Sequence, residues 1–260
     1  MNKFVIILEF LDENNLNITF TIYIYICMIN IITTFYISNT NNHNDTHRNN
    51  ELFTALIKNI ENISVKKIHL FLDDEIAYNK IQSLSGNIFF NKIIICGIKP
   101  NPKHIDFFNY AINQLPNEIC MIINSDIYVY EIDENLLLSV KNDKIAYALS
   151  RYEWDMSSPQ INRYLGSHDG YIFIPKHIHN SLELVNFYPN IPGIETHIIK
   201  LFLENNYKVF NPCFQIKIVH LHKSNIRNYK DDWIGLHNNG DENQFFNSVW
   251  CIPPIHLQIQ

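Results

Sequence analysis

From Ile31 to Ile123, short unbroken apolar runs alternate with segments in which apolar residues recur at helical spacing. Ile31–Ser38, Lys67–Leu72, Lys92–Ile98 and Glu118–Ile123 read as strands. Glu51–Ile63 (Leu52, Leu56, Ile57, Ile60), Ile76–Leu84 and His104–Leu115 read as helices. A strand covered on both faces is a continuous apolar run, and strand-helix alternation implies a largely parallel sheet flanked by helices. The predicted class is therefore α/β. Ligands of such sheets bind beyond the carboxyl ends of the strands, where Asp73, Asp74 and Asp126 fall.

The second half is more mixed. Strands are expected at Ile127–Tyr130, Lys144–Ser150, Gly170–Ile174, Tyr207–Phe210 and Gln215–His222, with helices at Glu131–Val140 and Glu195–Asn205. No Pro/Gly/Ser-rich linker divides the chain, so one domain is expected, followed by an irregular segment over 230–260. At the other end, Leu16–Ile37 is long and apolar enough to be weighed as a membrane span. Its polar residues and the alternation of Ile18, Phe20, Ile22, Ile24 and Ile26 favour a strand instead. Residues 1–27 then form an extension, with the domain proper spanning 28–229. The five cysteines form no C-x-x-C pair, which favours buried thiols in a reducing, cytoplasmic compartment, with a membrane-anchored form the less favoured reading.

The glycines exclude several functions. They stand at 86, 97, 166, 170, 193, 235 and 240, so neither G-x-G-x-x-G nor G-x-x-x-x-G-K-[ST] can be written. Dinucleotide-binding turns and P-loops need those glycines for close backbone approach to phosphate. A net charge of −6 counts against a nucleic-acid backbone binder. G-x-S-x-G and H-E-x-x-H are absent as well.

Five polar clusters carry the candidate chemistry. Asn124-Ser125-Asp126 breaks an apolar strand and suits oxygen ligation of a hard divalent cation; it equally suits a cap or Asx turn. His220 and His222 share one face of a strand and suit a metal, a phosphate or a sugar hydroxyl. Gly193 frees the backbone before a helix whose first turn carries Glu195, either a dipole partner or a general base. Arg151 suits bidentate phosphate contact or a surface ion pair. Asp169 lies in Gly166-Ser167-His168-Asp169-Gly170, a polar turn open to donor or acceptor contacts.

In this order, the pieces resemble a GT-A type glycosyltransferase of the small family 2-like kind. The resemblance runs from about Met28 to Tyr229. It rests on the strand-loop-helix Ile31–Asn62, the strand Lys67–Asp74, Asn124-Ser125-Asp126, Ser150-Arg151 and Gly193-Ile194-Glu195. It extends through Asn211-Pro212, His220-Leu221-His222-Lys223-Ser224-Asn225, Arg227 and Tyr229. It implies a Rossmann-like, mainly parallel mixed sheet and a nucleotide-sugar donor, UDP-sugar favoured, with a glycan or other hydroxyl acceptor. Asn124–Asp126 stands where the family has D-x-D, so Asp126, completed by His220 or His222, would hold Mn2+ or Mg2+. Asp73 or Asp74 would contact the nucleoside. Asn124, Arg151 and Asp169 would serve the donor, and Glu195 would be the base of an inverting transfer. Asn124 replaces the first Asp of the motif, and Thr196 stands where a second acid is usual. An inactive glycan- or nucleotide-sugar-binding module and a transferase acting on modified nucleic-acid bases are the competing readings.

Overall fold

The computed structural model of the chain describes residues 2–11, 17–38, 43–86, 90–157, 168–189, 191–223 and 252–258. Gly166, Ser167, Cys251, Arg227, Tyr229 and most of 230–260 lie outside the described residues. In chain order the elements are β1 (Asn2–Leu11), β2 (Asn17–Ile26), β3 (Ile29–Phe35), α1 (His43–Glu61), β4 (Val65–Leu72), α2 (Glu75–Gln82) and β5 (Ile93–Ile98). There follow α3 (His104–Gln114), β6 (Cys120–Ile123), β7 (Ile127–Glu131), α4 (Glu134–Asn142), β8 (Ile145–Leu149) and β9 (Tyr152–Glu153). The last are β10 (Gly170–Phe173), α5 (Ile194–Glu204), β11 (Lys208–Phe210) and β12 (Lys217–His220).

Seven strands form the central sheet in the order β11-β8-β10-β6-β3-β4-β5. All neighbours are parallel except β10, which runs antiparallel to β6 and β8. The inner strands β3, β6, β8 and β10 bury both faces, as their unbroken apolar runs require, whereas the edge strands β5 and β11 are partly exposed. Ile31, Phe35, Met121, Ile123, Tyr147 and Leu149 meet α1, α2 and α4 on one face. Ile32, Cys120, Ile122, Ala146 and Ala148 meet α3 and α5 on the other. Successive residues alternate between the two cores, which is the period of a strand.

Three shorter strands, β7-β12-β9, form a second sheet. Gly170 accommodates their close approach: a Cβ there would lie 2.9 Å from Ile218 Cδ1, 3.1 Å from Met121 Cε and 3.3 Å from Ile123 Cγ2. The N-terminal alternation forms an antiparallel hairpin, β1-β2, with Asn2 opposite Ile26 and Leu11 opposite Asn17. It makes a separate two-stranded sheet. Among the described residues no helix is long and apolar enough to cross a membrane.

Two features position the site. After β3 the chain winds outward through β4 and β5, then returns so that β6 lies on the opposite side of β3. That reversal makes a crevice at the carboxyl ends of β3 and β6, the usual ligand position in open α/β sheets. Second, α1 begins at His43, eight positions before the expected Glu51. Part of the polar stretch from the expected strand end at Ser38 to Glu51 thus forms the first two turns of this helix. Ser38 ties it down: its N–H donates to Asn49 Oδ1 (2.8 Å) and its hydroxyl to Asp45 Oδ1 (2.7 Å). Farther along α1, the buried Asn59 donates to the Ile127 carbonyl (2.9 Å) and accepts from Val129 N–H (2.9 Å). One amide thus serves two backbone groups of β7, and Asn62 just past the helix takes the Val129 carbonyl (3.0 Å). Asn59→Leu should leave both groups unpaired and lower the unfolding free energy by about 2–6 kcal/mol, at roughly 1–3 kcal/mol for each orphaned group. Urea denaturation measures the loss.

Candidate active site

The site follows from strand register at the end of β6. Residues 124–126 carry the chain out of the central sheet and into the small one. Ile127 N–H bonds back to the Asn124 carbonyl (3.1 Å) and closes the turn. The two polar side chains meet different partners: Asn124 donates to Asp169 Oδ1 (3.4 Å), whereas Asp126 faces α1 and β12.

On one side, His220 lies opposite Ile127 of β7 and opposite Glu153 of β9. This register sets its ring between Asp126 and Glu153. His220 Nε2 is 3.1 Å from Asp126 Oδ2, and Nδ1 is 3.3 Å from Glu153 Oε2. His222, just past the strand, places Nδ1 3.5 Å from the same Asp126 oxygen. From α1, Arg48 donates to that oxygen at 2.7 Å. Arg48 also reaches Glu51 (3.3 Å) and the Tyr36 hydroxyl (3.4 Å). Glu51 in turn accepts from Lys223 N–H (2.7 Å), tying the segment after β12 to α1.

Burial alone would raise the Asp126 carboxyl. The hydrogen bonds from His220 and His222, with the charges of His220 and Arg48, outweigh it and hold the group well below its usual range. Burial opposes protonation of His220, but Asp126 and Glu153 overcome it and lift the imidazole to about 9. His220 then draws Glu153 down to about 2, with Arg151 contributing.

On the other side, Gly170 pairs with Ile123 of β6 and with Leu149 of β8, so residues 124, 151 and 169 gather at one edge of the sheet. Arg151 bridges Asp169 (2.9 Å) and Glu153 (3.0 Å) and links the two halves of the site. Beyond lies a small cleft, partly open to solvent, lined by polar groups including Asn124, Asp169 and Glu195. Gly193 takes a positive φ (92°) at the start of α5, which turns the chain so that Glu195 reaches the cleft. Burial pushes the Glu195 carboxyl up to about 7, and the Asp169 charge adds to the rise.

Asp73 and Asp74 hold local structure. Asp74 caps α2 by accepting from Ala77 N–H (2.8 Å), and Asp73 accepts from Asn101 N–H (2.8 Å). The structure thus brings together Asp126, His220 and His222, and separately Asn124, Arg151, Asp169 and Glu195. Sequence reasoning missed Arg48 and Glu153. A signal for Arg48 existed: the buried stripe Leu52, Leu56, Ile60, extended back by four residues, lands on it. Glu153 had none, because β9 is two residues long and exists only through its pairing with β12.

No protein-family model and no curated protein matches the sequence. The fold does match solved structures. Mannosyltransferase PcManGT from Pyrobaculum calidifontis, in complex with GDP-Man and Mn2+, aligns at TM-score 0.51 and 10% identity, over 78% of this chain and 59% of that one. GalNAc-T7 with UDP, GalNAc and Mn2+ aligns at 0.52 and 10% identity, over 80% and 45%. S. aureus TarS 1–349 in complex with UDP-GlcNAc aligns at 0.51 and 8% identity, over 77% and 60%. The chain spans 45% to 60% of the length of these three. It has the GT-A type fold of nucleotide-sugar glycosyltransferases.

Proposed function

We propose that this protein is a metal-assisted glycosyltransferase that moves a sugar from a nucleotide-sugar donor to an acceptor hydroxyl with inversion. One observation carries the reading. A carboxylate-imidazole cluster and a cleft holding a high-pKa carboxylate flank the same turn, 124–126, at the topological reversal of the sheet.

The cluster fits a divalent cation. Asp126, His220 and His222 bring one ligand atom each within 4.8 Å of one another. His222 Nε2 is buried and has no hydrogen-bond partner among the described residues. A set of one oxygen and two imidazole nitrogens favours Mn2+ over Mg2+, which prefers oxygen ligands. Such an ion supplies charge to stabilise the departing nucleoside diphosphate.

The protein's own residues do the remaining work. Glu195, ionised, accepts the proton of the acceptor hydroxyl as that oxygen bonds to the anomeric carbon. The bond from that carbon to the diphosphate oxygen breaks, and its electron pair leaves with the nucleoside diphosphate. A carboxyl near 7 is well matched to a base working at neutral pH. Asn124, held by Asp169, and Asp169, held by Arg151, orient polar groups along the cleft. The Arg151 bridge also sustains Glu153, which keeps the His220 ring in place.

Thermal unfolding with nucleotide sugars, with and without Mn2+, tests this reading. A donor at one hundred times its Kd adds about 2.7 kcal/mol, which raises Tm by roughly 5–10 °C for a chain of this size. The expected result is a rise that needs both components and is reversed by EDTA, with slow release of nucleoside diphosphate. A rise without turnover, even with hydroxyl acceptors, would favour a binding module. No rise with any nucleotide sugar would overturn both.

A further inference from the structure

The cleft beside Glu195 contains a group that no motif marks. His104, the first residue of α3, lines it together with His168, Tyr171, Asn124 and Asp169. Most of these side chains already have partners. The Tyr171 hydroxyl donates to the His168 carbonyl (2.9 Å), His168 Nε2 meets the Ile252 carbonyl (3.1 Å), and Asn124 binds Asp169. His104 differs. It is 4% exposed, and its buried Nδ1 has no hydrogen-bond partner among the described residues. Its position is firmly set, because its N–H donates to the Phe187 carbonyl (2.9 Å) and its ring stands edge-on to Phe107 at 5.7 Å.

We propose that His104 is a specificity-determining residue that takes a hydroxyl of the transferred sugar, an inference that rests on the donor reading above. Two arguments support it. A buried polar nitrogen without a partner is costly, and ligand binding is the occasion on which it gains one. Burial holds the imidazole down at about 3, so the ring is neutral and offers one acceptor and one donor. A hydroxyl, itself donor and acceptor, matches either nitrogen. A site that hydrogen-bonds a hydroxyl rejects analogues lacking it far more strongly than an apolar pocket rejects a misfit.

Calorimetric titration of the full chain with Mn2+ separates the outcomes. The ligands are UDP-GlcNAc and GDP-Man, with UDP and GDP as controls; the proteins are wild type, His104→Ala and His104→Gln. Expected are roughly tenfold weaker binding of the nucleotide sugar by His104→Ala, unchanged binding of the nucleoside diphosphate, and partial recovery in His104→Gln. Equal weakening of both ligands would assign His104 a structural role and overturn the inference. So would unchanged sugar binding in both variants, or a wild type that binds diphosphate and nucleotide sugar equally. A wild type that binds none of the four ligands, and no other nucleotide sugar in the thermal screen, overturns the donor reading itself, and this inference with it.

Discussion

Asp126→Ala should cost the protein about 3–5 kcal/mol of stability and abolish the Mn2+ binding proposed for the cluster. The reason lies in one oxygen. Asp126 Oδ2 receives Arg48 at 2.7 Å, His220 at 3.1 Å and His222 at 3.5 Å. The Arg48 and Asp126 side chains are only 9% and 8% exposed. Truncating the carboxylate leaves a guanidinium buried with Glu51 as its remaining acidic partner, and a buried charge stripped of a partner is what makes such losses large. Replacing both members, Arg48→Met with Asp126→Leu, should recover most of the stability, because a buried ion pair is nearly neutral against well-packed apolar side chains. Urea denaturation in EDTA measures the folding component, and Mn2+ binding by electron paramagnetic resonance measures the other. A single variant that loses under 1 kcal/mol would show that the Arg48–Asp126 pair does not hold α1 to the site. A variant that still binds Mn2+ as the wild type does would remove Asp126 from the ligand set.

Glu195→Gln should lower turnover about 10²- to 10⁴-fold, the usual contribution of a positioned base, while donor affinity stays unchanged. The pH dependence has a definite sign. The base works only when ionised, so kcat/KM of the wild type should rise with pH through about 7 and then level off. In stability the same shift acts the other way. Because the folded carboxyl lies above its ordinary value of 4.5, the folded state holds the proton more tightly than the unfolded one. The wild type therefore loses stability as pH rises from about 4.5 to about 7, as the buried group is forced to ionise. Glu195→Gln removes that loss, so its gain over wild type should be larger at pH 8 than at pH 5. A variant that keeps its activity would show that Glu195 is not the base, and one that gains equally at both pH values would show that folding does not raise its carboxyl. Loss of donor binding in this variant would assign it to the binding surface instead.

Asp126, His220 and His222 could be named from the chain alone, because a short polar break after an apolar strand, or at its end, marks where a strand leaves the core. Glu195 could be named because Gly193 announces a turn into a helix. Arg48 was harder: the first turns of α1 are too polar to show periodicity, and the helix forms there because Ser38 and Asp126 bind it. His104 was not visible. On a helix flanked by Ile105, Phe107 and Phe108 it reads as an ordinary buried ring, and only the neighbouring loop and α5 reveal the cleft it lines.

By itself the sequence determined the layered α/β class, because a strand buried on both faces must be an unbroken apolar run and a helix on a sheet must carry an apolar stripe. It also determined which phosphate-binding loops are impossible, since seven scattered glycines cannot build them. The tertiary structure alone decided which polar groups meet. The antiparallel insertion of β10 brings Asp169 to Asn124, and the pairing of β12 between β7 and β9 sets His220 between Asp126 and Glu153. Those contacts depend on register between strands far apart in the chain, and register is set by the packing of whole faces rather than by any local run of residues.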